Sequence, residues 1–356
     1  PSIAPGSKFD ARKPFNINVD QYGRKYSWTI YVETVDVAVR TIGVDAWTCV
    51  AWVHGQAEAG RDNGIEYRLA TQTEWTRLPA SSITQDGGSF TGRIDHLSPN
   101  TGYVARTYSD TDLGDEVTFT TGSAVQPPNA DFDQWWLDGK VWCPWAENGQ
   151  PYWGTGNKGA TTLGNSNSVP TDDTPSGSGW AAMLETRFVG IGIVGKLAAG
   201  NLFAGTYVRT DGTNGILSFG RPFAERPTKL QGMFKYKSVT IDKSSNEMDW
   251  LIGRPDTCIV WIALIDSPEP FEIRTNPANR QLFDPEGDEV IAYGSMQHGQ
   301  TIDQWTPFEF ELKYKSTSRV PKYILITCSA SKYGDYFTGG NGSVLYLDDF
   351  ELIYDY

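Results

Sequence analysis

Histidine is scarce: three residues in 356, with His298 standing alone beyond His96. No Gly-x-Ser-x-Gly occurs either, so a serine-hydrolase triad has little to be built from. Cysteine is equally sparse. Cys49, Cys143, Cys258 and Cys328 are too far apart and too irregular for a zinc site or a disulfide framework, and Cys258 and Cys328 sit in apolar runs that suit small core residues. Long hydrophobic runs are missing. The longest, from Cys258 to Ile265, falls well short of the roughly 20 residues that a membrane-spanning helix needs. Positive charge is in deficit, 30 basic against 43 acidic residues, or −13 overall. Nucleic acid and anionic membrane are therefore disfavoured as partners. Nor does any stretch sustain an apolar stripe of helical period, so no long helix is expected.

Turn-formers and aromatics are abundant. There are 37 Gly, 20 Pro, 13 Trp and 17 Tyr, a composition suited to short strands joined by many loops. Alternation of period two recurs along the chain. Tyr26, Trp28, Ile30 and Val32 share one strand face, and Phe308, Phe310, Leu312 and Tyr314 share another, with charged residues opposite the second set. Residues 259–265 are apolar on both faces and predict a central strand. At 356 residues, two domains are expected. The composition breaks at residues 121–128, a Gly-Ser start with a Pro pair, which predicts a linker over 123–128. Residues 165–180, rich in Asn, Ser, Thr, Gly and Pro, read as a surface loop. The chain opens on Pro1 with no leader, so one is expected to have preceded it.

Residues 29–122, following an unassigned extension 1–28, contain Trp52 at the place of a core tryptophan. They also contain Leu97-Ser-Pro-Asn-Thr-Gly-Tyr103 and a closing Val117-Thr-Phe-Thr-Thr121. This pattern resembles the tyrosine corner and last strand of fibronectin type III domains, an immunoglobulin-like sandwich that usually serves as a spacer. In residues 129–356, the opening Asn129-Ala-Asp-Phe-Asp-Gln-Trp135 and the closing Gly342-Ser-Val-Leu-Tyr-Leu-Asp-Asp-Phe-Glu-Leu-Ile353 resemble the first and last strands of carbohydrate-binding jelly rolls. Pro151-Tyr-Trp-Gly-Thr-Gly-Asn157, Leu184-Glu-Thr-Arg187, Ala198-Ala-Gly-Asn-Leu-Phe203, Gly215-Ile-Leu-Ser-Phe-Gly-Arg-Pro222 and Ser329-Ala-Ser-Lys-Tyr-Gly-Asp-Tyr-Phe-Thr-Gly-Gly340 run in order through the same part. They resemble the putative carbohydrate metabolism domain of Bacteroides-type envelope proteins. The expected fold is all-β, a fibronectin III-like sandwich followed by a larger jelly-roll sandwich. The resemblance implies an extracytoplasmic glycan-binding protein of a carbohydrate-utilisation system, with a poly- or oligosaccharide as partner and other envelope proteins as further partners.

Sugars offer polar rims and apolar C–H faces, so a binding site needs flat aromatic surface beside planar polar groups. Five tryptophans lie between residues 135 and 153. Trp142, Trp145 and above all Trp153, flanked by Gly154 and Gly156, are the expected platforms, with Asn157, Glu185, Arg187 and Lys237 as polar partners. Glu185 and Arg187, two apart on an expected strand, point to one face about 7 Å apart. They form either an internal ion pair or a polar site. Asp348 falls in register with Val344, Tyr346 and Phe350, where an unpaired carboxylate is costly. A structural calcium ion on Asp348 and Asp133 is one solution, as the jelly-roll resemblance implies; a β-bulge turning the side chain outward, or plain hydrogen bonding to backbone, is the alternative. A glycoside hydrolase or lyase is the alternative function. It would need two carboxylates about 5–5.5 or 6.5–9.5 Å apart, drawn from Glu185, Asp266 and Asp335. A structural or adhesive surface protein is the third. Gly190-Ile-Gly-Ile-Val-Gly195 matches a dinucleotide fingerprint, but no helix follows it, and it is rejected.

Overall fold

The computed structural model describes residues 14–31, 38–191 and 194–355. It is almost entirely antiparallel β-structure. Its longest helical pieces are one turn at Asn157–Ala160 and a 3-10 segment at Asn246–Leu251.

A two-residue turn, Tyr22-Gly23, joins strands Phe15–Gln21 and Arg24–Ile30 into a separate hairpin. Both turn residues have positive φ, as a hairpin of right-handed twist requires. The expected buried face does not form within the described part: Tyr26 and Trp28 are exposed and stack on each other. Val32 lies outside the described residues.

Next comes a two-sheet sandwich. One sheet orders Arg40–Ala46, Ala51–Gln56, Ser89–Ile94 and Ile83–Asp86. The other is built on Gly102–Ser109 and Asn63–Leu69. Ala51, Val53, Ile65, Phe90, Ile94 and Tyr103 fill its core. The Tyr103 hydroxyl accepts the Ser98 amide at 3.0 Å, which pins the corner predicted from Leu97 and Tyr103. Trp52 is not the core tryptophan. Ala51 and Val53 take the inward positions, so Trp52 faces outward, edge-on to Trp47 at 4.7 Å. Trp47, nearly fully buried, lies at the seam with the second sandwich. Its indole donates to the Thr317 carbonyl (2.8 Å), and its ring packs on Tyr314. Residues 123–128 are strapped to the last strand: the Gln126 side chain donates to the Leu352 carbonyl and accepts the Leu352 amide, both at 2.7 Å.

The second sandwich packs a five-stranded sheet against a nine-stranded one. The first runs Ser168–Thr171, Ala181–Glu185, Val344–Ile353, Lys229–Lys237, Ile302–Glu311. The second runs Phe271–Arg274, Asn214–Phe219, Asn201–Asp211, Tyr323–Ser329, Cys258–Ile265, Val290–His298, Lys313–Tyr314, with two short strands off this path, Trp153–Gly154 on Asn201–Asp211 and Arg221–Pro222 on Tyr323–Ser329. Cys258–Ile265 lies between two partners, as its apolar composition predicts. The chain crosses from the smaller sheet to the larger at buried Leu312. Leu184, Leu230, Val260, Ile262, Ile326 and Leu345 are among the side chains sealed between the sheets. All four cysteines are free thiols. Residues 165–180 are not all loop: Ser168–Thr171 forms the edge strand, where Pro170 costs no ladder bond, and Ser168 Oγ donates to the Asn201 carbonyl at 2.8 Å. The rejected glycine motif is a hairpin, Arg187–Ile191 with Val194–Ala198.

Candidate functional site

The tryptophan-rich strip is mostly interior. Trp153 is fully buried against Phe132, Tyr152 and Phe350, and its indole donates to the Pro128 carbonyl. Gly154 beside it leaves no opening for a ligand; a Cβ there would come within 2.6 Å of Phe203. The expectation of a Trp153 platform is therefore wrong. The strand Trp153–Gly154 pairs with Asn201–Asp211 and turns its indole into the core. Asn157 is also sealed, at 0% exposure. It is a structural hub: its amide donates to the Trp142 and Ser168 carbonyls, and its Oδ1 accepts the Asn167 and Ser168 amides. Trp142 and Trp145 are half-buried, edge-on to Trp180 and Trp136 respectively.

Glu185 and Arg187 do not share a strand. The chain leaves the five-stranded sheet at Glu185 and starts the hairpin at Arg187, with buried Thr186 between them. The two side chains close on each other as an ion pair. Lys237 stands exposed on the outer face of the five-stranded sheet. On the same face, the Lys235 ammonium lies over the Trp305 and Tyr346 rings and pairs with Asp173. Asp266 is held bidentately by Arg319 (2.6 and 2.8 Å), which keeps its carboxyl below the usual range and unsuited to donate a proton.

Asp348 sits at a β-bulge and accepts a backbone hydrogen bond, without turning out to solvent. Asp349 has φ of 52°, and the register slips there. Leu345 and Leu347 before it, and Phe350 and Leu352 after it, all point inward, which puts Asp348 on the opposite face. The side chain is nonetheless buried. Its carboxylate accepts the Asp349 amide, and burial, reinforced by Asp349, Asp133 and Asp131, raises it to about 7. Asp133 accepts the Trp180 amide at 2.5 Å. Among the described residues, no three His, Cys, Asp or Glu side chains are grouped to hold a metal ion.

The open site lies on the other face of the nine-stranded sheet. Phe283 stacks flat on Trp261 at 4.9 Å, and with Leu282 it covers one half of that face. The other half is a cleft of about 470 Å³. Asn201, Ser329 and Ile259 form one row of its floor, and Phe203, Thr327 and Trp261 the next. Tyr207, Leu217 and Asn214 make one wall, Lys196 on the hairpin the second, and the turn Gly334–Tyr336 with Phe337 the third. The Lys196 ammonium donates to Asn214 Oδ1 (2.7 Å) and lies 4.1 Å over Phe337. Phe337 has φ of 54°, and a Cβ on Gly334 would meet Ala199 at 2.4 Å, so the turn is pressed tightly against the hairpin.

Asp335 faces the cleft without a hydrogen-bond partner among the described residues. Burial pushes its carboxyl up to about 6, and Arg280 offsets part of that rise. Of the three carboxylates proposed from sequence, it alone lines the cleft. Asn167 Oδ1 and Thr327 Oγ1 lie in its lining with no hydrogen-bond partner among the described residues. Asp256 anchors the third wall from beneath: its carboxylate accepts the Ser331 hydroxyl and the Gly340 and Thr257 amides. Sequence reasoning missed Tyr207, Trp261, Lys196 and Asp256. The alternation in 259–265 shows that Trp261 lies opposite Val260 and Ile262, but not which face of the sheet is left open.

A family profile described as putative carbohydrate metabolism domain matches residues 131–353 and leaves the N-terminal sandwich unassigned. No curated protein matches the chain. Among solved structures, one titled as a putative glycoside hydrolase from Bacteroides thetaiotaomicron is 21% identical, with 90% of this chain and 97% of that one covered and a TM-score of 0.51. That likeness shows a shared fold across both sandwiches. A second, with the same title words, from Bacteroides vulgatus, is 22% identical over 62% of this chain and 94% of that one (TM-score 0.47). A surface glycan-binding protein from a xyloglucan utilisation locus of Bacteroides uniformis is 11% identical over 98% of this chain and 81% of that one, at a TM-score of 0.22. With 223 consecutive residues matched, the chain belongs to the putative carbohydrate metabolism domain family.

Proposed function

We propose that this is an extracytoplasmic protein that binds a glycan in the cleft of the nine-stranded sheet, with the first sandwich as a rigid mount. No helix among the described residues is long and apolar enough to cross a membrane. The observation that carries the reading is the make-up of the cleft. Aromatic surface from Tyr207, Trp261 and Phe337 stands beside amide and hydroxyl groups from Asn201, Asn214 and Thr327. This is the mixture a sugar's two kinds of surface require. The test is a glycan array with the wild-type chain and Tyr207→Ala, with melting curves recorded alongside. A fall in affinity of about tenfold at an unchanged fold supports the cleft. Equal affinity moves the site elsewhere.

Hydrolysis is the second reading, favoured by one observation: Asp335, with its raised pKa, has the property of a general acid. Its weakness is that two-carboxylate chemistry needs a partner, and among the described residues no other carboxylate lines the cleft. Release of reducing ends by the wild type, abolished in Asp335→Asn, would establish the enzyme.

A further inference from the structure

A second hollow adjoins the cleft. It is lined by Trp250, Leu251, Arg254, Gln297, Tyr333 and Lys332, and Lys332 also lines the first. Thr257 and Ile259, two apart along the chain on one face, carry the floor from one hollow to the other. The Lys332 amide donates to the Thr257 carbonyl at 2.7 Å and fixes the shared wall. The new hollow contains the most exposed tryptophan of the second sandwich: Trp250 is 57% exposed, edge-on to Tyr333 at 6.5 Å, with the Arg254 guanidinium over its ring.

The charge is reversed here. The chain as a whole carries 30 basic and 43 acidic residues. Among the described residues, the two hollows are lined by Lys196, Lys332 and Arg254 against one carboxylate, Asp335. None of the three cations is ion-paired to a carboxylate among the described residues, whereas Lys229, Lys235 and Arg319 elsewhere on this sandwich each are. Arg280 stands behind the wall, over Tyr336, and its charge is met by Glu247 at 2.6 Å. Cations left unpaired along a groove of a strongly acidic protein concentrate field there and attract anions.

We infer that the cleft and its neighbouring hollow form one groove for an acidic oligosaccharide. Sugar rings rest on Trp250 and Tyr333, and a uronate carboxylate lies between Lys332 and Arg254. This rests on the glycan-binding reading and names its ligand class. The carboxylate completes the hydrogen bonding of an ammonium and a guanidinium that have no protein anion.

The test is calorimetric titration of the full chain with three uronate probes: oligogalacturonate, oligomannuronate and hyaluronan oligosaccharides. Each is compared with its carboxyl-reduced counterpart, a neutral sugar of the same linkage. At least one acidic probe should bind, and its reduced form should bind about tenfold more weakly. Lys332→Gln should cost the acidic probe a similar factor and leave the neutral one unchanged. Asp335→Asn should tighten the acidic probe, and added salt should weaken it. Binding of acidic and neutral forms alike, indifferent to Lys332→Gln, would overturn this inference while keeping the glycan reading. Absence of binding by all six would overturn both. Melting curves superimposable with wild type for Lys332→Gln, and no lower than wild type for Asp335→Asn, separate these outcomes from misfolding.

Discussion

Two sets of aromatic residues divide the second sandwich. The strip from Phe132 to Trp153 is dense in indole, and Trp153 is sealed in the core. The set around the cleft, Tyr207, Trp250, Trp261 and Tyr333, is sparse in sequence and spread over four segments, yet it lines the open hollows. Density of tryptophan thus measures the demand of a core as readily as the supply of a platform. What decides is which face of a sheet is capped. The inner face is closed by the opposing sheet, and the outer face of the larger sheet is only half covered, by Phe283 and Leu282.

The sharpest way to break this contrast is to truncate one indole from each set. Trp153→Ala opens a large cavity and should cost about 3–5 kcal/mol, lowering the melting temperature by many degrees. Trp250→Ala should stay within about 0.5 kcal/mol of wild type in denaturant melts. Similar losses in both would erase the distinction.

A smaller effect should appear with pH. Asp335 is raised to about 6 by burial, so the folded chain holds its proton more tightly than the unfolded one. Its contribution to stability is full below the ordinary carboxylate range, declines as pH rises through about 6, and is flat above. Asp335→Asn should therefore melt like wild type at pH 4 and above it at pH 8. Parallel curves at both values would place the carboxyl in open water.

The smallest effect concerns calcium. An ion shared by Asp133 and Asp348, proposed on the jelly-roll resemblance, predicts that added calcium raises the melting temperature of wild type and not of Asp348→Asn. Superimposable melts remove the ion.

Much of the architecture was legible in sequence because it rests on local pattern. Residues 259–265 announce a strand buried on both faces, and the spacing of Leu97 and Tyr103 announces the corner that the Ser98 amide closes. The β-bulge and the backbone hydrogen bond were legible as two of three solutions, since an acid in an apolar register demands one. The site was not legible. Trp153 and Trp261 are both strand residues among apolar neighbours, and nothing local says that one faces the opposing sheet and the other the cleft. Gly154 likewise looks permissive in sequence, although its missing side chain is filled by Phe203. Ser168–Thr171 was misread because its polar composition suits a loop. It becomes a strand by pairing with Ala181–Glu185, with Asn157 and Asn201 from distant segments bonded to Ser168.

The most direct measurement is a titration of the glycan followed through assigned tryptophan indole N–H resonances. Trp250 and Trp261 should shift with ligand while Trp153 and Trp135, bonded to the Pro128 and Phe132 carbonyls in the interior, stay fixed. Shifts confined to Trp142, Trp145 and Trp180, with Trp250 and Trp261 unmoved, would contradict it.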